Sequence, residues 1–91
     1  MSLKLSIPTP LRRLTGDAET VEIEAGTVKE VIQRLDLKYP GFQSRLCDDS
    51  GQLRRFINIY IDGEDVRFLN GLSTQVPDGA ELSIVPAIAG G

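Results

Sequence analysis

Apolar and polar positions alternate with a period of two in four separate stretches of the chain. The first is Leu3-Lys4-Leu5-Ser6-Ile7, closed by Pro8 and Pro10. The second runs over Thr20–Ile23, with Val21 and Ile23 on one side and Glu22 and Glu24 on the other. The third is Phe56-Ile57-Asn58-Ile59-Tyr60-Ile61, with three isoleucines on one face and Phe56, Asn58 and Tyr60 on the other. The last is Glu81–Val85, where Leu82 and Ile84 alternate with Glu81 and Ser83. This alternation predicts half-buried strands. The first two read as a hairpin with a long connection, because no two-residue turn joins them and Arg12–Asp17 reads as a loop.

Between the second and third strands the period changes. Val28, Val31, Ile32, Leu35 and Tyr39 make one apolar stripe at helical spacing, while Lys29, Glu30, Gln33, Arg34 and Lys38 take the other side. Thr27 and Glu30 have the spacing of a capping box, and Pro40-Gly41 ends the helix. Phe42 and Leu46 suit one further short turn packed on the core. Asp62-Gly63, Asn70-Gly71 and Pro77-Asp78-Gly79 mark turns, with Glu64–Phe68 a short return segment.

The order is therefore β-β-α-β-(β)-β. One amphipathic helix and one half-apolar mixed sheet pack most economically with the helix laid across the sheet, an α+β arrangement. At this length the order is that of the ubiquitin-like β-grasp. A ferredoxin-like fold would need a second helix, which residues 62–80 are too rich in Gly and Pro to form.

Composition narrows the chemistry. The 91 residues suit a single domain. Histidine is absent, which removes His-based triads, bases and metal sites. The lone Cys47 permits neither an internal disulfide nor a cysteine cluster for zinc. A net charge of −3 argues against nucleic acid as a partner. Neither a membrane span nor the apolar core of a signal peptide is visible, and the expectation is a cytoplasmic protein. Charge is uneven: residues 1–45 hold seven basic and six acidic side chains, residues 46–91 three and seven. That asymmetry reads either as solvated surface or as an acidic docking face.

The end of the chain carries the functional signal. Val85-Pro86-Ala87-Ile88-Ala89-Gly90-Gly91 has no ionisable side chain, and Pro86 discourages further sheet pairing. This divides the chain into a domain of residues 1–85 and an extended, flexible tail of residues 86–91. Pro86, Ala87, Ile88, Ala89 and Gly90 are expected to lie in a partner's groove, with Gly91 as the reactive terminus. Glycine lets the backbone pass a narrow channel and leaves the terminal carbonyl open to attack. An α-carboxylate is ionised in the cell and a poor electrophile, so it must first gain a leaving group, as adenylation by ATP provides. The acyl-adenylate can then accept sulfur or an amine.

The pattern resembles the MoaD/ThiS family of ubiquitin-like sulfur carriers. Within it the chain is most similar to the carriers of the CysO type, which serve cysteine biosynthesis. The resemblance rests on Ser6-Ile7-Pro8-Thr9 with Leu11-Arg12, on Arg55-Phe56-Ile57-Asn58-Ile59-Tyr60, on Glu64-Asp65-Val66-Arg67-Phe68 and Gly71-Leu72, and on the closing Pro86–Gly91. It implies a protein co-substrate without catalytic residues of its own. An E1-like enzyme would adenylate Gly91 using ATP, and sulfur transfer would give a thiocarboxylate. A PLP-dependent cysteine synthase would use that sulfur, and a metalloprotease would release the cysteine formed. The carrier itself is expected to bind no cofactor or metal. Two alternatives share the tail chemistry. One is the small subunit of molybdopterin synthase, whose second proline after Pro86 is replaced here by Ala87. The other is a ubiquitin-like modifier conjugated through Gly91 to lysines.

Other residues admit plainer roles. Cys47 stands next to Asp48 and Asp49, which would raise its thiol pKa, so it reads as structural. Arg12-Arg13 and Arg54-Arg55 read as solvated or as contacts to an acidic partner. Phe68, Leu69 and Leu72 either form a docking patch for the activating enzyme or sulfur acceptor, or belong to the core.

Overall fold

The computed structural model describes residues 2–86. Five strands form the main sheet: β1 (Ser2–Ser6), β2 (Thr20–Glu24), β4 (Ile57–Ile61), β5 (Glu64–Asp65) and β7 (Glu81–Pro86). Their order is β2-β1-β7-β4-β5, with β1 and β7 parallel and all other neighbours antiparallel. Two-residue strands β3 (Gly26–Thr27) and β6 (Gln75–Val76) pair separately. Helix α1 (Val28–Lys38) lies across one sheet face, followed by the short α2 (Phe42–Leu46). The fold is the expected β-grasp, with a mixed sheet and one principal helix packed across it.

The alternation decides which face is covered. Leu3 and Leu5, Val21 and Ile23, the three isoleucines of β4, and Leu82 and Ile84 are all buried against Val28, Val31, Ile32 and Leu35 of α1. Burying such side chains contributes roughly 1.5–3 kcal/mol each before chain entropy is counted. A slip of one residue in any strand would turn this set outward, which is why the register is well specified. Phe42 on α2 is fully buried. It is placed there because Asp36 Oδ1 accepts the amides of Gly41 and Gln43, both at 3.0 Å.

The local signals act as expected. Thr27 Oγ1 accepts the Glu30 amide at 3.2 Å and Glu30 Oε1 accepts the Thr27 amide at 2.9 Å, a complete capping box. The β4–β5 hairpin turns at Asp62 (φ 49°) and Gly63 (φ 88°), both left-handed, the backbone that Asp-Gly adopts at low cost.

Three features differ from the sequence expectation. Thr9–Thr15 is a 3₁₀ helix where Arg12–Asp17 reads as loop. Leu11 and Thr15 are buried beneath it, and Thr15 Oγ1 lies 3.0 Å from the carbonyl oxygens of both Arg12 and Ala18. The return segment Glu64–Phe68 pairs with β4 only over Glu64–Asp65. It then becomes a 3₁₀ turn over Val66–Phe68, because Asp65 Oδ1 accepts the Arg67 amide at 2.9 Å. The last strand runs one residue beyond Val85, with Pro86 opposite Ile57. Proline is tolerated there because β1 pairs β7 only as far as Ser83, so one side of Pro86 has no ladder to join.

Candidate functional site

The parallel β1–β7 pairing puts the last strand in the middle of the sheet. Its C-terminal end, however, keeps a neighbour on one side only. Val85 and Pro86 lie against Asn58 and Ile57 of β4. The described part of the chain therefore ends beside the start of β4. Of the residues assigned to the tail, Pro86 is the half-buried end of β7, while Ala87, Ile88, Ala89, Gly90 and Gly91 lie outside the described residues.

Near this end of β7 the structure exposes apolar surface: Val85 is 42% exposed and Phe56, just before β4, 52%. Arg67 reaches Asn58, the residue opposite Val85. Its Nη1 donates to Asn58 Oδ1 and its Nη2 to the carbonyl of Arg54, both at 2.6 Å. Two short charge-assisted bonds hold the guanidinium against β4 and the turn before it. Arg55 is exposed nearby in sequence, between these two anchors.

The three apolar residues singled out as a patch are placed differently from one another. Phe68 is 85% exposed and Leu69 40%. Leu72 packs on the core and, with Ile32 of α1 and Cys47, lines a cavity of about 30 Å³ on the helix side. Neither Val85 nor Arg67 is among the site residues that the sequence suggests. Val85 was discernible, since it follows the buried Ile84 in an alternating strand. The anchoring of Arg67 was not, because its partners lie nine and thirteen residues away.

Of the remaining arginines, Arg12 Nε donates to the Ile7 carbonyl at 3.0 Å, and Arg54 donates twice to the Ser44 carbonyl. Both are tied into the fold. A cleft of about 420 Å³ opens among Asp36, Ser44, Cys47, Asp48 and Arg54. Its polar groups are already occupied: Asp36 caps α2, and Asp48 Oδ1 accepts from Ser50 N, Ser50 Oγ and Gln52 N. Those bonds, led by the Ser50 hydroxyl, hold the Asp48 carboxyl below its ordinary pKa. Cys47 is buried, and its thiol pKa is pushed up first by desolvation and then by the charge of Asp48. Among the described residues no group of three His, Cys, Asp or Glu side chains is placed to hold a metal ion. Nor is any helix long and apolar enough to cross a membrane. What the described residues offer near Pro86 is exposed apolar surface and one anchored guanidinium.

Comparison with known proteins accords with this geometry. The ThiS family model matches residues 5–91. The chain belongs to the ThiS family. Sulfur carrier protein CysO of Mycobacterium tuberculosis is 46% identical over 93 residues, with both chains covered in full. Small archaeal modifier protein 3 of Haloferax volcanii is 32% identical over 94 residues, again with both covered in full. A chain of the crystal structure of the Amycolatopsis orientalis BexX/CysO complex superposes with a TM-score of 0.92 at 45% identity, covering 98% of this chain and 99% of that one. The match extends through Gly90-Gly91, so the closing diglycine falls within the family's own boundaries.

Proposed function

We propose that this chain is a sulfur carrier that is activated at the carboxylate of Gly91 and donates sulfur for cysteine biosynthesis. The observation that carries this reading is the full-length likeness, at 46% identity, to proteins named sulfur carrier protein CysO. The fold supports it, since β7 brings Pro86, the residue before the closing segment, beside the start of β4.

In the proposed cycle a carboxylate oxygen of Gly91 attacks the α-phosphorus of ATP on an E1-like enzyme, and pyrophosphate leaves. The acyl carbon of the adenylate is then attacked by a hydrosulfide-class donor. AMP departs with the bridging oxygen, one proton is lost, and a terminal thiocarboxylate remains. On a PLP-dependent synthase this sulfur would be the nucleophile that replaces the phosphate of O-phosphoserine. A C–S bond forms, inorganic phosphate leaves and the carrier is held as a thioester of cysteine. An acyl shift would leave cysteine in amide linkage on Gly91, for a metalloprotease to hydrolyse. The carrier's own contribution is to hold its terminus on a folded handle, so that a reactive sulfur species reaches a closed pocket as a bound, oriented reactant.

Incubation with ATP, the adenylating enzyme of the source organism and sulfide, followed by intact-mass spectrometry, tests the reading. The full chain gains the mass of sulfur for oxygen, and the chain lacking Gly91 does not, while both melt at the same temperature. Sulfur gain by the truncated chain would remove Gly91 from its role. A second reading, conjugation to lysines, is favoured by the 32% identity to a small archaeal modifier protein. It predicts a ladder of amine-linked products in extract that disappears with Gly91.

A further inference from the structure

Among the described residues, the first half of β4 and the last half of β7 pair with one another and with no third strand. β5 pairs β4 only at Tyr60 and Ile61, and β1 pairs β7 only as far as Ser83. That leaves Ile59 with Ile84, Asn58 with Val85, and Ile57 with Pro86. A two-stranded ribbon is marginal in water. Burial of Ile57, Ile59 and Ile84 secures its helix side, whereas the other face carries Asn58 and the exposed Val85. Had the β4–β5 ladder run on in the same register, residue 67 would stand opposite Asn58. The 3₁₀ turn over Val66–Phe68 takes the backbone elsewhere, and the Arg67 side chain alone returns to Asn58 Oδ1. Its second prong meets the Arg54 carbonyl, which also accepts the Ile57 amide at 3.0 Å. One guanidinium thus ties the turn before β4 to the two residues that oppose Pro86 and Val85.

We propose that Arg67 is a positioning residue for the chemistry at Gly91: its two bonds keep the end of β7 seated on β4 and so fix the point from which the last five residues start. The inference rests on the carrier reading and deepens it. Five residues extend at most about 3.6 Å each, so Gly91 lies within about 18 Å of Pro86. Were Val85 and Pro86 to peel from β4, the free segment would lengthen from five residues to seven. Each backbone residue that must be ordered anew lowers the productively placed fraction roughly five- to thirtyfold. A misplaced reacting atom loses rate steeply, so even partial fraying at this root is felt at the terminus. Charge is not the lever. Glu64 and Asp65 stand just before Arg67, Asp65 Oδ1 accepts its amide at 2.9 Å, and the two carboxylates offset the charges of Arg55 and Arg67. What Arg67 supplies is the planar fork that bridges two acceptors, which a lysine ammonium lacks.

The test is steady-state ATP–pyrophosphate exchange by the source organism's E1-like enzyme, with the full-length carrier as varied substrate, well below the melting temperature of every variant. Arg67→Lys and Asn58→Ala each lower kcat about tenfold or more and leave the carrier KM within about twofold, because the carrier still binds while Gly91 reaches the nucleotide less often. Asn58→Asp, which offers Arg67 a carboxylate oxygen in place of the amide oxygen, keeps the wild-type kcat. Hydrogen exchange of the carrier alone, read by NMR, locates the cause. In Arg67→Lys the amides of Ile57 and Val85 exchange about tenfold faster, and that of Leu5 in β1 is unchanged. Two results overturn the positioning role and leave the carrier reading intact. One is wild-type kcat in both Arg67→Lys and Asn58→Ala, even where all amides exchange faster, which marks a purely structural residue. The other is a raised KM in Arg67→Gln that Arg67→Lys restores, which marks a charge contact with the enzyme. Absence of exchange with the unaltered carrier and an active enzyme overturns the carrier reading, and this inference with it.

Discussion

Gly26 sits where the chain passes from β2 into α1, and the space beside it is already filled. A Cβ built on Gly26 would lie 2.5 Å from Arg34 Nη1 and 2.8 Å from Glu30 Oε1. That guanidinium is engaged: Nη1 donates to the Ala25 carbonyl at 2.7 Å and to the Glu24 carbonyl at 3.2 Å. It thereby closes the end of β2 onto the helix. The backbone of Gly26 is not left-handed, so alanine has no conformational penalty and gains about 0.4–1 kcal/mol from a less disordered unfolded chain. Against this, the methyl group must push Arg34 away from both carbonyls. Hydrogen bonds to a charged donor contribute about 1.5–3 kcal/mol, and the half-exposed position reduces this because water replaces part of the loss. Gly26→Ala should therefore cost about 1–2 kcal/mol net. For a domain of this size that lowers Tm by about 5–15 °C. Thermal denaturation followed by circular dichroism, combined with urea titration, reads this directly. The decisive measurement is the cycle with Arg34→Ala. With the guanidinium gone, the cost of Gly26→Ala should fall by half or more, the remainder coming from the Glu30 carboxylate. Simple addition of the two costs would show that the crowding at Arg34 is not what glycine relieves.

Other expectations are simpler. Phe42→Ala opens a cavity beneath α2 and should cost about 3–5 kcal/mol, seen as a large drop in the urea midpoint. Glu30 is held below its ordinary pKa, chiefly by the Thr27 amide, then by the Thr27 hydroxyl and Arg34, and Asp48 likewise by Ser50 and Gln52. Both carboxylates are more acidic folded than unfolded, so their contribution is full above about pH 4–5 and is lost as pH falls through the lower folded values. Glu30→Gln and Asp48→Asn should each flatten the acid side of a Tm-against-pH curve, and an unchanged acid limb would remove these groups from that role. The Cys47 thiol should react with iodoacetamide at pH 8 about tenfold or more slowly in the native protein than in urea, because it is buried and its ionisation is disfavoured.

Local sequence determined a great deal of this molecule. The strands follow from period-two alternation, and α1 follows from a stripe of period 3.6 behind a Thr27–Glu30 box. The turn at Asp62-Gly63 follows from the two residue types that accept a left-handed backbone. The segment closing in Gly90-Gly91 stands out because it carries no ionisable side chain. All these signals lie within a few residues of one another along the chain. Tertiary structure decided what depends on distant partners. The 3₁₀ helix at Thr9–Thr15 exists because Leu11 and Thr15 find cover beneath it. The patch of Phe68, Leu69 and Leu72 divides because Leu72 meets α1. Arg67, unremarkable as one charge in a row, becomes a fixed guanidinium only when β4 brings Asn58 to it and the turn before β4 offers the Arg54 carbonyl. Periodicity records which side of an element faces the core. Which side chains converge at the end of β7 is set by strand order and register, and in this fold those were fixed by the parallel pairing of the first strand with the last.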